Sequence, residues 1–302
     1  MSVPIRNVVV IGASGSVGVP VVLELLEAKF NVTALTRESS NATFPAGVKV
    51  FKSDYTELSL LEAFKGQDAI VSTIASPSTG TQKLIVDAAV ASGVKVFLPS
   101  EYGIDTARPN VSEILPLARA KVDTVNYLKS VQDKISWAAV ITGSLFDWAF
   151  YVAPGFGGWN IPARTATIFD GGNVPYEATN LGQTAKAVVA ILKNPEVVKN
   201  QHVYVNSFTT TQNEVLRAFE KATGEKFTVT EGNTEGLWKD GVEKIQRGGP
   251  DAGVGRIQTI MAALYGLGGL NHYSVNPGLS NEKLGLKEES LDEVVKKIVE
   301  KL

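Results

Sequence analysis

Three glycines near the N-terminus have the spacing of a nucleotide phosphate site. Gly12, Gly15 and Gly18 form the segment GASGSVG, directly after the apolar run NVVVIG and before a segment with helical periodicity. Glycine lets the backbone approach a pyrophosphate closely, and a helix N-terminus adds free N–H groups and positive potential. At a first strand–helix junction, this spacing predicts a dinucleotide site rather than only a tight turn. We also expect contacts from the loop residues Ser14, Ser16 and Val17.

The residue at the end of the second predicted strand indicates which dinucleotide binds. NAD-binding proteins place an acidic residue there, whereas an arginine suits the 2′-phosphate of NADP. Here Arg37 stands in the segment LTRESS, with Ser39 as a further donor. The sequence therefore predicts NADP(H). Asp54 ends the third predicted strand and would either accept a hydrogen bond from the adenine amine or form an Asx turn.

The elements that must position these residues alternate along the first half of the chain. Short apolar runs such as residues 7–12 are typical of strands covered on both faces, and helical segments separate them. This alternation predicts an α/β fold with a doubly wound parallel sheet of the Rossmann type. We expect an NADP-binding domain over residues 1–146. Residues 147–302 would form a smaller, mostly substrate-side region, from which a helix at 180–193 and a strand near 202–207 return to the sheet.

Ligands of doubly wound sheets bind at the carboxyl ends of the strands. Glu101 and Tyr102 follow the fifth predicted strand as candidate catalytic residues. Either could orient the substrate or pair with Lys121, although Glu101 could equally bond to the neighbouring loop. The remaining cofactor contacts that we expect at this edge are Thr73, Ala75, Pro99, Ser100, Thr142, Gly143 and Ser144.

The composition excludes several classes of function. The 302 residues carry a net charge of −2 without a strongly basic run, which argues against a nucleic-acid or membrane-surface partner. The absence of cysteine excludes disulfides and zinc–thiolate sites, and two histidines are too few for a histidine-rich metal centre. We expect no metal. No apolar run is long enough for a membrane span, and no signal-peptide pattern is present, so we predict a cytoplasmic protein.

Several segments recur in the order found in a known family. GASGSVG, TRESS, Gln82, FLPSEYG and a lysine that opens the next helix resemble the NmrA-like group of atypical short-chain dehydrogenases, particularly its isoflavone reductase-like branch. The resemblance implies a Rossmann fold, NADPH as cofactor with Gln82 in its site, and a lysine acid/base. The lysine that aligns is Lys121. The paired arginines that follow this lysine in plant reductases are absent, and Tyr102 replaces the phenylalanine of their PSEFG segment.

Aromatic residues crowd two stretches that should lie near the nicotinamide. Some of them must be core, but the remainder would line a mostly apolar cleft. They predict a planar, largely uncharged aromatic or polycyclic substrate, because the basic residues in these stretches are few: Arg164, Lys239 and Lys244. The candidate substrate contacts are Phe146, Trp148, Tyr151, Trp159, Trp238, Tyr265 and Tyr273.

Three functions are compatible with these features. The first is an NADPH-dependent reductase of an aromatic small molecule, in specialised metabolism. The second is a non-redox isomerase or cyclase that keeps NADP and uses Lys121 or Glu101 for proton transfer. The third is an NADP-sensing regulator without turnover. The oligomeric state is left open between a monomer and a homodimer.

Overall fold

The computed structural model describes residues 4–151 and 155–302. Its strands are β1 Asn7–Ile11, β2 Asn31–Arg37, β3 Lys49–Ser53, β4 Ala69–Ser72, β5 Val96–Leu98, β6 Ser136–Ile141, β7 Ser144–Leu145, β8 Trp159–Asn160, β9 Thr165–Phe169, β10 Tyr176–Thr179, β11 Gln201–Tyr204, β12 Phe208–Thr210 and β13 Thr228–Gly232. Its helices are α1 Gly18–Glu27, α2 Glu57–Phe64, α3 Gln82–Ala91, α4 Val111–Ile114, α5 Arg119–Ser130, α6 Phe146–Tyr151, α7 Leu181–Lys193, α8 Gln212–Thr223, α9 Thr234–Arg247, α10 Asp251–Leu264 and α11 Leu291–Lys301.

A parallel sheet forms the centre of the molecule. In the described residues its strand order is β3-β2-β1-β4-β5-β6-β11, which confirms the doubly wound arrangement. Ile11 lies in register with Leu35 on one side and Ser72 on the other, and Val71 pairs with Leu98. The carboxyl ends of these strands therefore lie along one edge of the sheet. The predicted helix at 180–193 and the strand near 202–207 are present as α7 and β11, and β11 extends the sheet beside β6.

The alternation of side chains in β1 explains its continuous apolar sequence. Val8 and Val10 pack beneath α1 and α7, whereas Val9 and Ile11 face α2, α3 and α5 on the other side. All four side chains are fully buried, and each such burial stabilises the fold by about 1.5–3 kcal/mol. The strand is therefore anchored from both faces, and the glycine loop that follows it starts from a rigid position.

The chain after β6 builds a second core beside this edge of the sheet. Two three-stranded sheets, β7-β10-β12 and β8-β9-β13, pack with α6, α8 and α11 around aromatic side chains that include Phe150 and Phe219. Helix α8 begins at a capping box, in which the Thr211 hydroxyl accepts from Glu214 N and the Glu214 carboxylate accepts from Thr211 N. Within the described ranges, every helix is too short or too polar to cross a membrane.

Candidate active site at the carboxyl edge of the sheet

The glycine loop after β1 contains two glycines that are needed for close packing and an exposed segment that a ligand can reach. A Cβ on Gly12, which has a φ of +79°, would lie 2.7 Å from the carbonyl oxygen of Thr73. A Cβ on Gly18 would lie 2.2 Å from Gly12 O. Gly12 thus allows a close approach to the end of β4, and Gly18 allows the start of α1 to pack closely against the loop. Ser14, Gly15 and Ser16 remain exposed at the N-terminus of α1, with Val17 half-buried behind them, and this arrangement fits a bound pyrophosphate.

Arg37 lies exposed at the end of β2, in register with Ser53 of β3. It forms no ion pair with the residues that the structure describes, and Ser39 beside it is also exposed. A guanidinium and a hydroxyl at this end of the sheet are donors of the kind that a 2′-phosphate requires.

Asp54 forms an Asx turn. Its Oδ1 accepts from the backbone N of Thr56 at 2.9 Å and from the Thr56 hydroxyl at 2.8 Å. These hydrogen bonds hold the pKa of the Asp54 carboxyl below its usual range. Thr56 is in turn the N-cap of α2. Of the two sequence interpretations of Asp54, the turn is the one for which the structure provides contacts.

Several predicted cofactor residues hold the strand ends together. The backbone N and the hydroxyl of Thr73 both donate to Ile11 O, at 2.8 and 2.9 Å. Ser100 N donates to Gln82 Oε1 at 2.8 Å, and Ser100 Oγ donates to Ile74 O at 2.7 Å. Gln82 is completely buried, and its side chain positions the loop after β5, while its contact with a cofactor stays a prediction. Pro99 is also buried in this loop, whereas Ala75 is exposed.

The end of β6 is tied to the same loop. Thr142 N and Gly143 N donate to Gly103 O at 3.2 and 2.9 Å. Gly143 has a φ of +61°, and a Cβ there would lie 2.2 Å from Glu177 O in β10. Ser144, which begins β7, is half-buried and leads into the second core. Hydrogen bonds therefore join the ends of β4, β5 and β6 to one another.

Lys121 is a buried residue in the first turn of α5. Only 8% of the residue is exposed, and its Nζ donates to the backbone carbonyl of Glu101. Burial lowers the pKa of the Lys121 ammonium, and the Glu101 carboxylate acts in the opposite direction. An ordinary solvated lysine at a helix start would show neither feature. The structure thus brings an amine with a lowered pKa to the carboxyl end of β5.

Glu101 and Tyr102, which lie in the loop after β5, have different surroundings. Glu101 is fully buried, and its Oε2 accepts from the Thr106 hydroxyl. Burial raises the pKa of this carboxyl, whereas Lys121 and Thr106 lower it. Tyr102 packs into the core between the sheet and α1 and α7, and burial raises the pKa of its phenol. Its hydroxyl bonds to no described residue, and a catalytic role of Tyr102 stays a prediction.

The predicted aromatic cleft is largely core. Tyr273 has no exposed surface, and its hydroxyl donates to Val205 O at 2.8 Å. The Tyr265 hydroxyl donates to Gly157 O at 3.1 Å and accepts from Trp159 Nε1 at 3.2 Å. With Phe146, these side chains are at most 4% exposed, so we assign all four to packing. A substrate cannot reach atoms already enclosed by neighbouring side chains.

The other three predicted substrate residues keep accessible surface. Trp148, Tyr151 and Trp238 are half-buried. Trp148 packs edge-on against Phe156, with ring centres 5.5 Å apart. Trp238 Nε1 donates to Ile114 O at 2.6 Å, which joins α9 to the segment that precedes Lys121. These three side chains are the remaining candidates for contact with an aromatic ligand.

A comparison with protein-family models identifies the chain. Residues 5–288 match the NmrA-like family. The chain belongs to this family. The oxidoreductase aprR of Aspergillus flavus is 34% identical over 298 residues, which cover 97% of this chain and 98% of aprR. The isoflavone reductase homolog IRL of Zea mays is 26% identical over 73% of this chain and 75% of its own length. The predicted family resemblance is confirmed.

Solved structures agree with the NmrA-like fold. The structure of AtPrR2 with NADP+ and (+)pinoresinol has a TM-score of 0.76 against this chain, covering 99% of it and 100% of AtPrR2. The two sequences are 22% identical, so this likeness shows the fold. This NmrA-like chain thus shares its fold with AtPrR2 over nearly the whole length.

The sequence reasoning missed the loop that supports Glu101 in this NmrA-like protein. Asp105 accepts from the Tyr204 hydroxyl at 3.1 Å and pairs with Arg108 at 3.1 Å. Asp105 N donates to Leu270 O, and Arg108 donates to Asn276 O at 2.9 Å. A C-terminal segment therefore holds the loop in place. The only local signal was the polar pair Asp105–Thr106 after FLPSEYG, and its partners are distant in sequence.

Proposed function

We propose that the protein is an NADPH-dependent oxidoreductase that reduces an aromatic or polycyclic small molecule, with Lys121 as the proton donor. The observation that carries this proposal is the buried Lys121 ammonium at the carboxyl end of β5, beside the connected ends of β4 and β6. The oxidoreductase class is supported by the relative aprR, which matches this chain over 97% of its length.

The cofactor proposal rests on two separate binding features. The exposed segment Ser14–Ser16 at the start of α1 would hold the pyrophosphate through backbone N–H groups. Arg37 and Ser39 would hold the 2′-phosphate, since no described acidic side chain already pairs with Arg37. When bound, NADPH would supply a hydride from C4 of its nicotinamide. The AtPrR2 structure, which contains NADP+, supports this choice of dinucleotide.

Lys121 would complete the reduction by moving one proton. Its ammonium Nζ would protonate the anion that hydride addition leaves on the substrate, and the neutral amine would then take a proton from solvent. The lowered pKa favours this role because release of the proton costs less than from an exposed lysine. None of the eight tyrosines has a lysine four residues later, so the Y-x-x-x-K pair is absent and Lys121 would act without a tyrosine donor.

The substrate proposal follows from charges as well as from aromatic surfaces. The three basic residues that could hold an anion are all paired with acids: Arg164 with Glu225 at 3.4 Å, Lys239 with Glu235 at 2.7 Å and Lys244 with Asp240 at 2.5 Å. Trp148, Tyr151 and Trp238 remain available for an uncharged ring system. The presence of (+)pinoresinol, an aromatic compound, in the AtPrR2 structure is consistent with this class.

A turnover screen tests the proposal. Purified protein with NADPH is incubated with planar aromatic compounds, with (+)pinoresinol as the first probe, and in parallel with sugar phosphates and short carboxylates. We expect loss of NADPH absorbance with an aromatic compound and a reduced product by mass spectrometry. Conversion without oxidation of NADPH would replace the proposal by the isomerase or cyclase alternative, and binding of the cofactor with no conversion of any compound would favour a sensor.

A further inference from the structure

A completely buried carboxyl lies next to Lys121 without forming a direct ion pair with it. The Lys121 ammonium donates to the main-chain carbonyl of Glu101, whereas the Glu101 side chain turns to the Thr106 hydroxyl. No described salt bridge joins the two side chains. Glu101 Oε1 has no hydrogen-bond partner among the described residues. A buried carboxyl with a free oxygen is costly unless it interacts with a nearby charge.

The charged groups that act on Glu101 and Lys121 come from α5 and from the loop after β5. Lys121, from α5, stabilises the ionised form of Glu101, and Asp105, from the same loop as Glu101, opposes it. Asp105 is itself paired with Arg108 at 3.1 Å. The neighbouring Tyr102 phenol is buried and keeps its proton. For Lys121 itself, Glu101 is the charged group that acts on its ammonium.

We propose that Glu101 is a positioning residue that acts on Lys121 in two ways. Its backbone carbonyl orients Nζ, and its carboxylate favours the protonated form of that nitrogen. This inference rests on the proposed function, because it assigns Lys121 the role of an acid. Burial alone would drive Lys121 toward the neutral amine, which has no proton to donate. The Glu101 carboxylate opposes this effect of burial, and the Thr106 hydroxyl in turn stabilises the carboxylate.

This arrangement explains why the carboxylate does not bond to Nζ directly. A contact ion pair would hold the proton on Nζ more strongly than a neutral carbonyl does and would oppose its transfer. The carbonyl of Glu101 fixes the direction of Nζ instead, and the carboxylate acts through space. Glu101 neither loses nor gains a proton in the reaction, so the proton balance remains that of Lys121 and solvent.

Nuclear magnetic resonance of the protein with ¹³C-labelled lysine tests the proposal without any turnover. The resonance that disappears in Lys121→Met belongs to Lys121, and its titration gives the pKa of the ammonium. We expect Glu101→Gln to lower this pKa by at least about one unit, the smallest shift that an adjacent opposite charge usually causes. An unchanged titration of Lys121 in a folded Glu101→Gln protein would overturn the proposal.

Glu177→Gln is the matched control. Glu177 is also fully buried, and its carboxylate accepts from Asn206 and Thr209, each at 2.7 Å, and from Ser274 N. Its substitution removes a buried carboxylate of the same size, but not one that acts on Lys121. We expect a loss of stability with no change in the Lys121 pKa. An equal shift in both variants would show that Glu101 has only a structural role.

Thr106→Val decides the question if Glu101→Gln does not fold. The Lys121 resonance should show a second step where the neighbouring Glu101 ionises, and loss of the Thr106 hydroxyl should move that step to higher pH. Absence of the step in the wild type, or a step that does not move, contradicts the proposal. Because these titrations need no substrate, they separate this inference from the proposed reductase activity. If the pKa shift is present but NADPH is never oxidised, the positioning role stands and the reductase proposal fails.

Discussion

The dinucleotide half and the substrate side of this protein differ in how their candidate site residues are specified. On the dinucleotide half, the glycine loop and Arg37 each follow a strand directly, and parallel register places both at one edge. On the substrate side, two tryptophans eleven positions apart have different environments: Trp159 is core, whereas Trp148 is half-buried. Strand ends converge by topology, but the surroundings of an aromatic ring depend on which distant elements cover it.

Lys121 is the candidate acid/base beside the end of β5, and its substitution should have the largest effect. We expect Lys121→Met to lower kcat by roughly 10²–10⁴-fold, the usual contribution of a positioned acid/base. NADPH affinity and melting temperature should stay close to wild type, because methionine fills the same buried space. Turnover near the wild-type rate would mean that this lysine takes no part in the chemistry.

Paired tryptophan substitutions test the division between core and surface aromatics. Trp159→Ala should lower the free energy of unfolding by about 3–5 kcal/mol, because it leaves a cavity beside Phe219 and removes a bond to Tyr265. Trp148→Ala should cost much less stability while weakening binding of an aromatic ligand. Urea unfolding and ligand titration measure the two quantities. Equal destabilisation by both variants would show that Trp148 is also core.

Arg37→Ala tests whether a single residue at a strand end selects the cofactor. Loss of charge-assisted hydrogen bonds to a 2′-phosphate should cost about 1.5–3 kcal/mol, roughly 10–150-fold in NADPH affinity. NADH binding should hardly change, since that ligand lacks the phosphate. Fluorescence titration with both cofactors gives the comparison, and an equal loss for the two would refute the assignment of Arg37.

Thr211→Ala should have the smallest effect. The substitution removes the hydrogen bond from Glu214 N to the Thr211 hydroxyl, one of the two bonds of the capping box of α8. It should lower the free energy of unfolding by about 0.5–2 kcal/mol. The thermal transition reports this loss, and Thr211→Ser is the control that keeps the hydroxyl. A null effect of Thr211→Ala would mean that tertiary contacts, rather than this local motif, determine where the helix begins.

The sequence by itself determined the elements whose signals are local. The β-branched run of β1, the glycine loop and the order of strands and helices follow from periodicity and backbone sterics, which depend on near neighbours. Arg37 could be located for the same reason, since it ends a strand, whereas Lys121 was located through the resemblance to the family.

Only the tertiary structure decided what these residues touch. Gln82, which matches the family pattern, holds Ser100, whereas Tyr102, which replaces the phenylalanine of the pattern, packs in the core. Phe146, Trp159, Tyr265 and Tyr273 are enclosed by elements far away in the chain. The burial of Lys121 and Glu101, and the loop held through Asp105, likewise depend on contacts over long sequence distances. Burial and the pKa shifts that it causes arise from packing, and a pattern of residue types does not specify which surfaces meet.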